Sequence, residues 1–505
     1  MNVTLAYLGH SDLKATSTGQ ILSLAPNLAR EAVAFDGPLL QPLRFREAMS
    51  ALHDIVVSDL RHKPRDKAGY LAWKKSEESR LNEIRRAAYA VAAEEMNARQ
   101  AMPVPVDFTR QFERARKKYW NGRLEYSRYL QRHDVETWRL LMPCDPVITV
   151  APDSLFFECF SGDESSYGCL NVDREAGFGK SDSTQLGTTN VDYSWDLYHH
   201  FQALRSYGET RFSIDPAGFE VATASQPGYH EEKIDLPAGW LRGFMQLQSA
   251  MTLPGIKVML SRETVYSLLA WLKRNKARIS PRAIRFELVA GAPIKIVLEP
   301  WNIELIDRHV YDGPPTEPVR VWGGRRLLSL ARTLPLAESF DVHLLGTGLP
   351  HFWVARMGEM RLTLGLSGWT VNDWTRSAAL DLIAPPAEAS AAFIDRVAGI
   401  LREKRTASAR AVELATGESP ALVGAATRHL AHTGQAIYDL TAGLYRWRQI
   451  MPQAVGEAEI GPPHEELVGL QKILEHRRIE IESSVDMPTG GRVVMAKVDG
   501  SHAIF

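Results

Sequence analysis

The chain has 505 residues, 45% of them hydrophobic, which is enough to bury several cores, and no apolar run approaches the roughly 20 residues needed to span a bilayer. Its formal net charge is -1, so no global field draws it to nucleic acid or an anionic membrane, and any such contact must come from a local patch. Three cysteines exclude a disulfide scaffold and point to a reducing, cytoplasmic setting.

In chain order, residues 1 to about 36 read as short strands, with Val3, Leu5 and Tyr7 alternating. Residues 43–62 read as an amphipathic helix, because Phe45, Met49, Leu52, Val56 and Leu60 step by three and four until Pro64. A long helix is expected from Lys67 to Gln100 and another from Asp107 to Arg132, joined at Pro103 and Pro105 as a helical hairpin. The second of these carries Arg114, Lys117 and Lys118 between aromatics. That composition suits a phosphate-tracking arm, and equally a helix that packs its aromatics and holds its cations in water.

From Val147 the pattern becomes β-rich. Strands are expected at 147–150, 155–159, 167–172 and 210–214, and Thr188–Ser194 reads as a loop into a helix reaching Arg205. Ser261 is placed to cap a helix burying Val265, Leu268, Leu269 and Leu272, and a hairpin follows at 284–288 and 294–298. The segment Asp312–Pro318 reads as a linker. Beyond it come a helix or strand at 325–334 and strands at 342–345, 352–356 and 361–366.

Residues 393–451 give the plan of a winged helix-turn-helix. A first helix runs 393–401, a second follows Thr406 as its cap, and a third starts at Ser419-Pro420 and ends before Gly434. A hairpin at 435–440 and 444–448 completes the plan. The third helix would present Thr427, Arg428, His429 and His432 outward, and the wing Tyr445, Arg446 and Arg448, to nucleic acid or to a protein. After a helix at 464–477, strands at 478–482, 492–498 and 503–505 end the chain on apolar residues, so a continuation or a partner strand is expected.

The expected architecture is therefore α+β and multidomain, with an N-terminal long helical hairpin, a β-rich middle and a C-terminal winged helix-turn-helix. Its units are 1–143, 144–311, 319–384, 387–452 and 464–505. No phosphate loop, dinucleotide fingerprint or hydrolase elbow occurs, and no catalytic residue is assigned. Cys144, Cys159 and Cys169 lack metal-ligand spacing, so no metal is assigned. Asp192, Asp196 and His200, or Asn372 and Asp373, are the residues an unrecognised enzyme site would use.

Several segments resemble large bacterial SWIM zinc-finger-family proteins upstream of their zinc module. They are Leu24–Leu28, Leu43–Glu47, Gly187–Asp192, Asp235–Leu253, Leu344–Pro350 and, most of all, Leu362–Trp374. The resemblance implies an accessory factor in a bacterial multi-protein system of conflict or quality control. It would have a MoxR-type ATPase or a von Willebrand A-type protein as partner. The family's zinc-binding cysteines have no counterpart after Cys169, so zinc would belong only to a C-terminal continuation. The resulting expectation is a non-catalytic adaptor whose winged helix docks to protein or nucleic acid. The alternatives are a DNA- or RNA-binding factor and an enzyme with an unrecognised site.

Overall fold

A computed structural model describes residues 3–7, 11–15, 19–26, 32–57, 146–191, 209–214, 231–236, 238–278, 281–368, 389–450, 479–486, 492–498 and 501–504. It also describes isolated positions within 107–133 and 198–206, and Trp374. The chain divides into two units, one made of 1–59 with 143–505 and the other of Leu60–Met142. The fold is mixed α+β, rich in sheet. No helix among the described residues is long and apolar enough to cross a membrane.

The larger unit is organised by an eight-stranded sheet. Its strands run, in spatial order, Ile256–Ser261, Ser339–Leu344, His351–Met357, Met360–Leu366, Ser166–Asp173, Ser154–Phe160, Val147–Val150 and Gly187–Asn190, every pair antiparallel. The stretches expected as separate units on either side of the 312–318 linker thus interleave in one sheet. The central strands are buried on both faces, which is why they read as near-continuous apolar runs rather than as alternation. One face carries Leu155, Phe157, Cys159, Leu170 and Val172, and the helix Pro42–Val56 packs on it through Phe45, Leu52 and Ile55. Gly168 permits this approach: a Cβ there would sit 2.7 Å from Leu52 Cδ1.

Further sheets among the described residues belong to this unit, among them a two-stranded antiparallel pair of Val3–Tyr7 with Glu231–Leu236. Ile303–Val310, Pro293–Leu298, Ile284–Glu287 and Val319–Val321 form a four-stranded sheet beside the helix Arg262–Arg274. Ser261 caps that helix by accepting from the Thr264 N–H, as its sequence predicts. Asp12–Ala15, Gly19–Leu24, Glu209–Ile214, Ala34–Pro38 and Ser183–Gln185 form a five-stranded sheet in which Gly19–Leu24 and Glu209–Ile214 run parallel. Ile479–Asp486, Arg492–Val498 and Ser501–Ile504 form a three-stranded antiparallel sheet.

Residues 391–450 fold as three helices and a small sheet. The order is Ala391–Lys404, the short strand Thr406–Ala407, Ala409–Thr416, Pro420–His432, and a hairpin of Ala436–Asp439 with Leu444–Trp447. Phe393, Val397, Leu401, Val412, Val423, Ala426, Leu430 and Tyr445 make its core. Ser419 accepts from the Leu422 N–H, with Pro420 next to it, as the sequence predicts. The second helix departs from expectation: Ser408, not Thr406, is its cap, because Thr406 is already paired with Arg446 in the sheet.

Other expectations shift for identifiable reasons. Residues 326–333 wind as a 3-10 helix, and Thr188–Asn190 extends as an edge strand instead of a loop. The strand Ile303–Val310 and the helix Ala238–Met251 have no counterpart among the expectations. That helix buries Phe244, Met245, Leu247 and Ala250 around most of its circumference, so no single apolar stripe marks it. The helix expected at 67–100 and that at 464–477 lie outside the described residues. So do Asp192, Asp196, His200, Asn372 and Asp373. Within 107–132 the positions Arg110, Gln111, Arg114, Lys118 and Tyr129 are helical.

Candidate functional site under the 436–447 hairpin

The second face of the eight-stranded sheet is mostly apolar but carries the buried polar residues Glu158 and Asn171. Strand alternation puts Phe156, Glu158 and Phe160 on this face, and the register sets Asn171, Cys169 and Tyr167 directly opposite them. The 436–447 hairpin and the helix Ala238–Met251 cover this face, so all six residues are buried.

The hairpin's own alternation explains how it fits. Tyr445 points to the core of the three helices, while Arg446 and Arg448 point to the sheet. Asp439 first builds the turn. Its Oδ1 accepts from the Thr441 N–H at 3.0 Å, the Thr441 hydroxyl at 2.7 Å and the Ala442 N–H at 3.1 Å. Gly443 closes the turn at φ +67°. The other oxygen of Asp439 accepts from Arg446 Nε at 2.8 Å. Arg446 Nη2 then reaches Asp153 Oδ2 at 3.1 Å, with the guanidinium 5.1 Å over the Phe156 ring.

Arg448 is buried completely, with 0% of its side chain exposed against 1% for Glu158. Its Nη1 donates to Glu158 Oε1 at 3.3 Å, and the guanidinium lies 5.3 Å over the Phe244 ring. Nη2 lies 2.9 Å from Glu158 Oε2 but out of hydrogen-bond alignment, and neither atom has another hydrogen-bond partner among the described residues. The Tyr167 hydroxyl donates to Glu158 Oε1 at 2.6 Å. Burial pushes the Tyr167 phenol and the Cys169 thiol well above their usual ranges, and the charge on Glu158 adds to both. Cys169 is therefore a thiol here, not a nucleophilic thiolate.

The seam continues along the helix Ala238–Met251. The Tyr438 N–H donates to Gln248 Oε1 at 2.8 Å, and Ser249 Oγ pairs with His432 Nδ1 at 3.0 Å. The helix Pro420–His432 packs against it. Ala425, Arg428 and His432 lie opposite the helix's own core residues, and Ala425 is buried.

The site residues expected from the sequence separate accordingly. His429 is exposed, and desolvation followed by the neighbouring His432 lowers its pKa. Arg428 and His432 are half-buried. Thr427, expected outward, is buried, and its hydroxyl donates to the Val423 carbonyl at 2.9 Å. Tyr445, Arg446 and Arg448, expected on an outward wing, are buried as well. Two reasons separate them: Thr427 and Tyr445 turn into the unit's own core, whereas Arg446 and Arg448 lie on the opposite face and are covered by the eight-stranded sheet and the helix Ala238–Met251, which local periodicity does not announce. In the other unit, Arg114 and Lys118 are exposed, and Lys117 lies outside the described residues. The carboxylates Asp153, Glu158 and Asp439 were not anticipated. A lone glutamate inside Leu155-Phe-Phe-Glu-Cys-Phe160 was the available signal, since a strand otherwise apolar on both faces keeps a charge only beside a counter-ion. Among the described residues no group of three or more His, Cys, Asp or Glu is placed to hold a metal ion.

No family model matches the chain, and none of the curated proteins matches it. Among solved structures, it is similar to the proliferating cellular nuclear antigen of Entamoeba histolytica, at 10% identity and a TM-score of 0.28, over 45% of this chain and 89% of that one. It is also similar to the antigen of Thermococcus kodakaraensis, at 13% identity and a TM-score of 0.28, over 45% of this chain and 90% of that one. At that TM-score the likeness carries no argument.

Proposed function

We propose that this chain is a non-catalytic scaffold whose 391–450 unit is a winged helix-turn-helix turned to protein docking. The order helix, short strand, helix, helix, hairpin supports the winged-helix reading. One observation carries the docking reading: the two wing arginines that would meet phosphate are consumed by Asp439, Asp153 and Glu158 of the same chain. The third helix meanwhile faces a neighbouring helix instead of an open groove. A groove-binding winged helix needs both surfaces free. The outer surface of the unit, with exposed Leu414 and the cations Arg402, Lys404 and Arg405, remains for a partner protein.

The resemblance to SWIM-family accessory factors supports a partner of the MoxR-type ATPase or von Willebrand A class. Nucleic-acid contact through the 107–132 segment is the second reading, favoured by the exposure of Arg110, Arg114 and Lys118.

A gel-shift titration of the full chain against duplex DNA and single-stranded RNA at low and physiological salt tests the choice. The scaffold reading expects weak, sequence-independent binding that Arg428→Ala leaves unchanged. Tight binding lost on Arg428→Ala would refute it. Co-purification with a MoxR-type ATPase or a von Willebrand A-type protein tests the partner class.

A further inference from the structure

Among the edge strands whose side chains are described, Ile303–Val310 is the longest, at 8 residues. It pairs with Pro293–Leu298 on one side, with a register shift between Ile306 and Val310, and among the described residues no backbone–backbone hydrogen bond reaches its other side. Its inner face holds Leu305 and the buried Asp307, which accepts from the Ser261 N–H and hydroxyl, each at 2.8 Å. Its outer face presents Glu304, Ile306, Arg308 and Val310, with Ile306 66% and Val310 47% exposed. An eight-residue edge strand with exposed β-branched residues is a template for strand addition.

The charge order on that face selects the occupant. Glu304 and Arg308 flank Ile306 at equal distance along the strand. In an antiparallel pairing of two copies about Ile306, residue 304 lies opposite 308, residue 306 opposite itself and residue 308 opposite 304. Each Glu304 then meets Arg308 of the partner subunit, and Ile306 meets Ile306 of the partner subunit. Directly opposite residues stand on the same face within reach of one another. Such a contact is isologous and closes at two copies. Within the chain Glu304 pairs with Lys295 at 2.6 Å and Arg308 with Glu263 at 3.9 Å, but these side chains are all at least one-third exposed, so exchanging partners costs little.

We propose that two copies of this chain join edge to edge along Ile303–Val310, in antiparallel register about Ile306. The surface lies on the four-stranded sheet and does not depend on the docking role of the 391–450 unit.

Sedimentation equilibrium of the full chain over a concentration series tests it. The expected result is a dimer of the 56.4 kDa chain. Glu304→Arg sets two arginine pairs face to face and weakens dimerisation by about tenfold, since two cross-strand pairs change from attraction to repulsion. Glu304→Arg with Arg308→Glu restores the complementary order and the wild-type dissociation constant. Ile306→Lys places like charges at the axis and gives monomer. A wild-type chain that stays monomeric, a dimer indifferent to Glu304→Arg, or a double variant no better than the single one would each overturn the proposal.

Discussion

Replacing Arg448 with methionine is the sharpest test of how the 391–450 unit is held. The substitution keeps the bulk of the side chain over Phe244 but removes the cation from a site where it is 0% and its partner Glu158 1% exposed. Among the described residues Glu158 then retains only the Tyr167 hydroxyl, at 2.6 Å. Removing one partner of a buried pair costs roughly 3–5 kcal/mol, because a charge is left without compensation in a site closed to water. At about 1.4 kcal/mol per factor of ten, opening of the seam becomes roughly a hundred-fold to several thousand-fold more frequent. Amide hydrogen exchange reads this directly at Tyr438, whose N–H is bonded across the seam to Gln248. Adding Glu158→Gln keeps an acceptor for Tyr167 and removes the stranded charge, so the double variant recovers most of the lost protection. Protection at Tyr438 unchanged in Arg448→Met, or no recovery in the double variant, would refute the reasoning.

Other consequences are measurable. His351 is fully buried, donating from Nε2 to the Trp322 carbonyl at 2.9 Å and accepting from Trp353 Nε1 at 3.0 Å, and its pKa is lowered from 6.5 to about 4, chiefly by burial. Because the folded value lies below the unfolded one, its contribution is complete above pH 6.5 and is lost as the pH falls towards 4. About 2 kcal/mol of stability should disappear between pH 7 and pH 5 by urea unfolding, and His351→Gln should remove that component of the slope. Gly417 ends the second helix at φ +74° with open space where a Cβ would go, so Gly417→Ala should cost about 1 kcal/mol of backbone strain in the same assay. Leu414 is 72% exposed, so Leu414→Glu should leave stability within about 0.5 kcal/mol while reducing capture of a partner protein. A lowered melting temperature for that variant would show that Leu414 packs against this chain itself.

How much of this was legible beforehand varies by element. The caps at Ser261 and Ser419, the helices at 391–404 and 420–432 and the 436–447 hairpin follow from signals within a few residues: a hydroxyl before an apolar stripe, Pro420 at the first turn, alternation on either side of a turn. The helix Ala238–Met251 was illegible because burial around most of its surface erases the stripe that announces a helix. Glu158 was visible as an anomaly, but its counter-ion lies 290 residues away in sequence.

The sequence by itself determined the mixed α+β class, the helix starts at Ser261 and Ser419 and the alternation that sets Arg446 and Arg448 on one face of their strand. These depend on propensity, capping and side-chain period, which act over a few residues. The tertiary structure decided which of the two faces meets solvent. Only when strands from 147–190, 256–261 and 339–366 joined in one sheet did a buried polar surface exist for those arginines to cover. A charge is driven to its counter-ion by the cost of leaving either one dry and alone, and that pairing is set by distance in space.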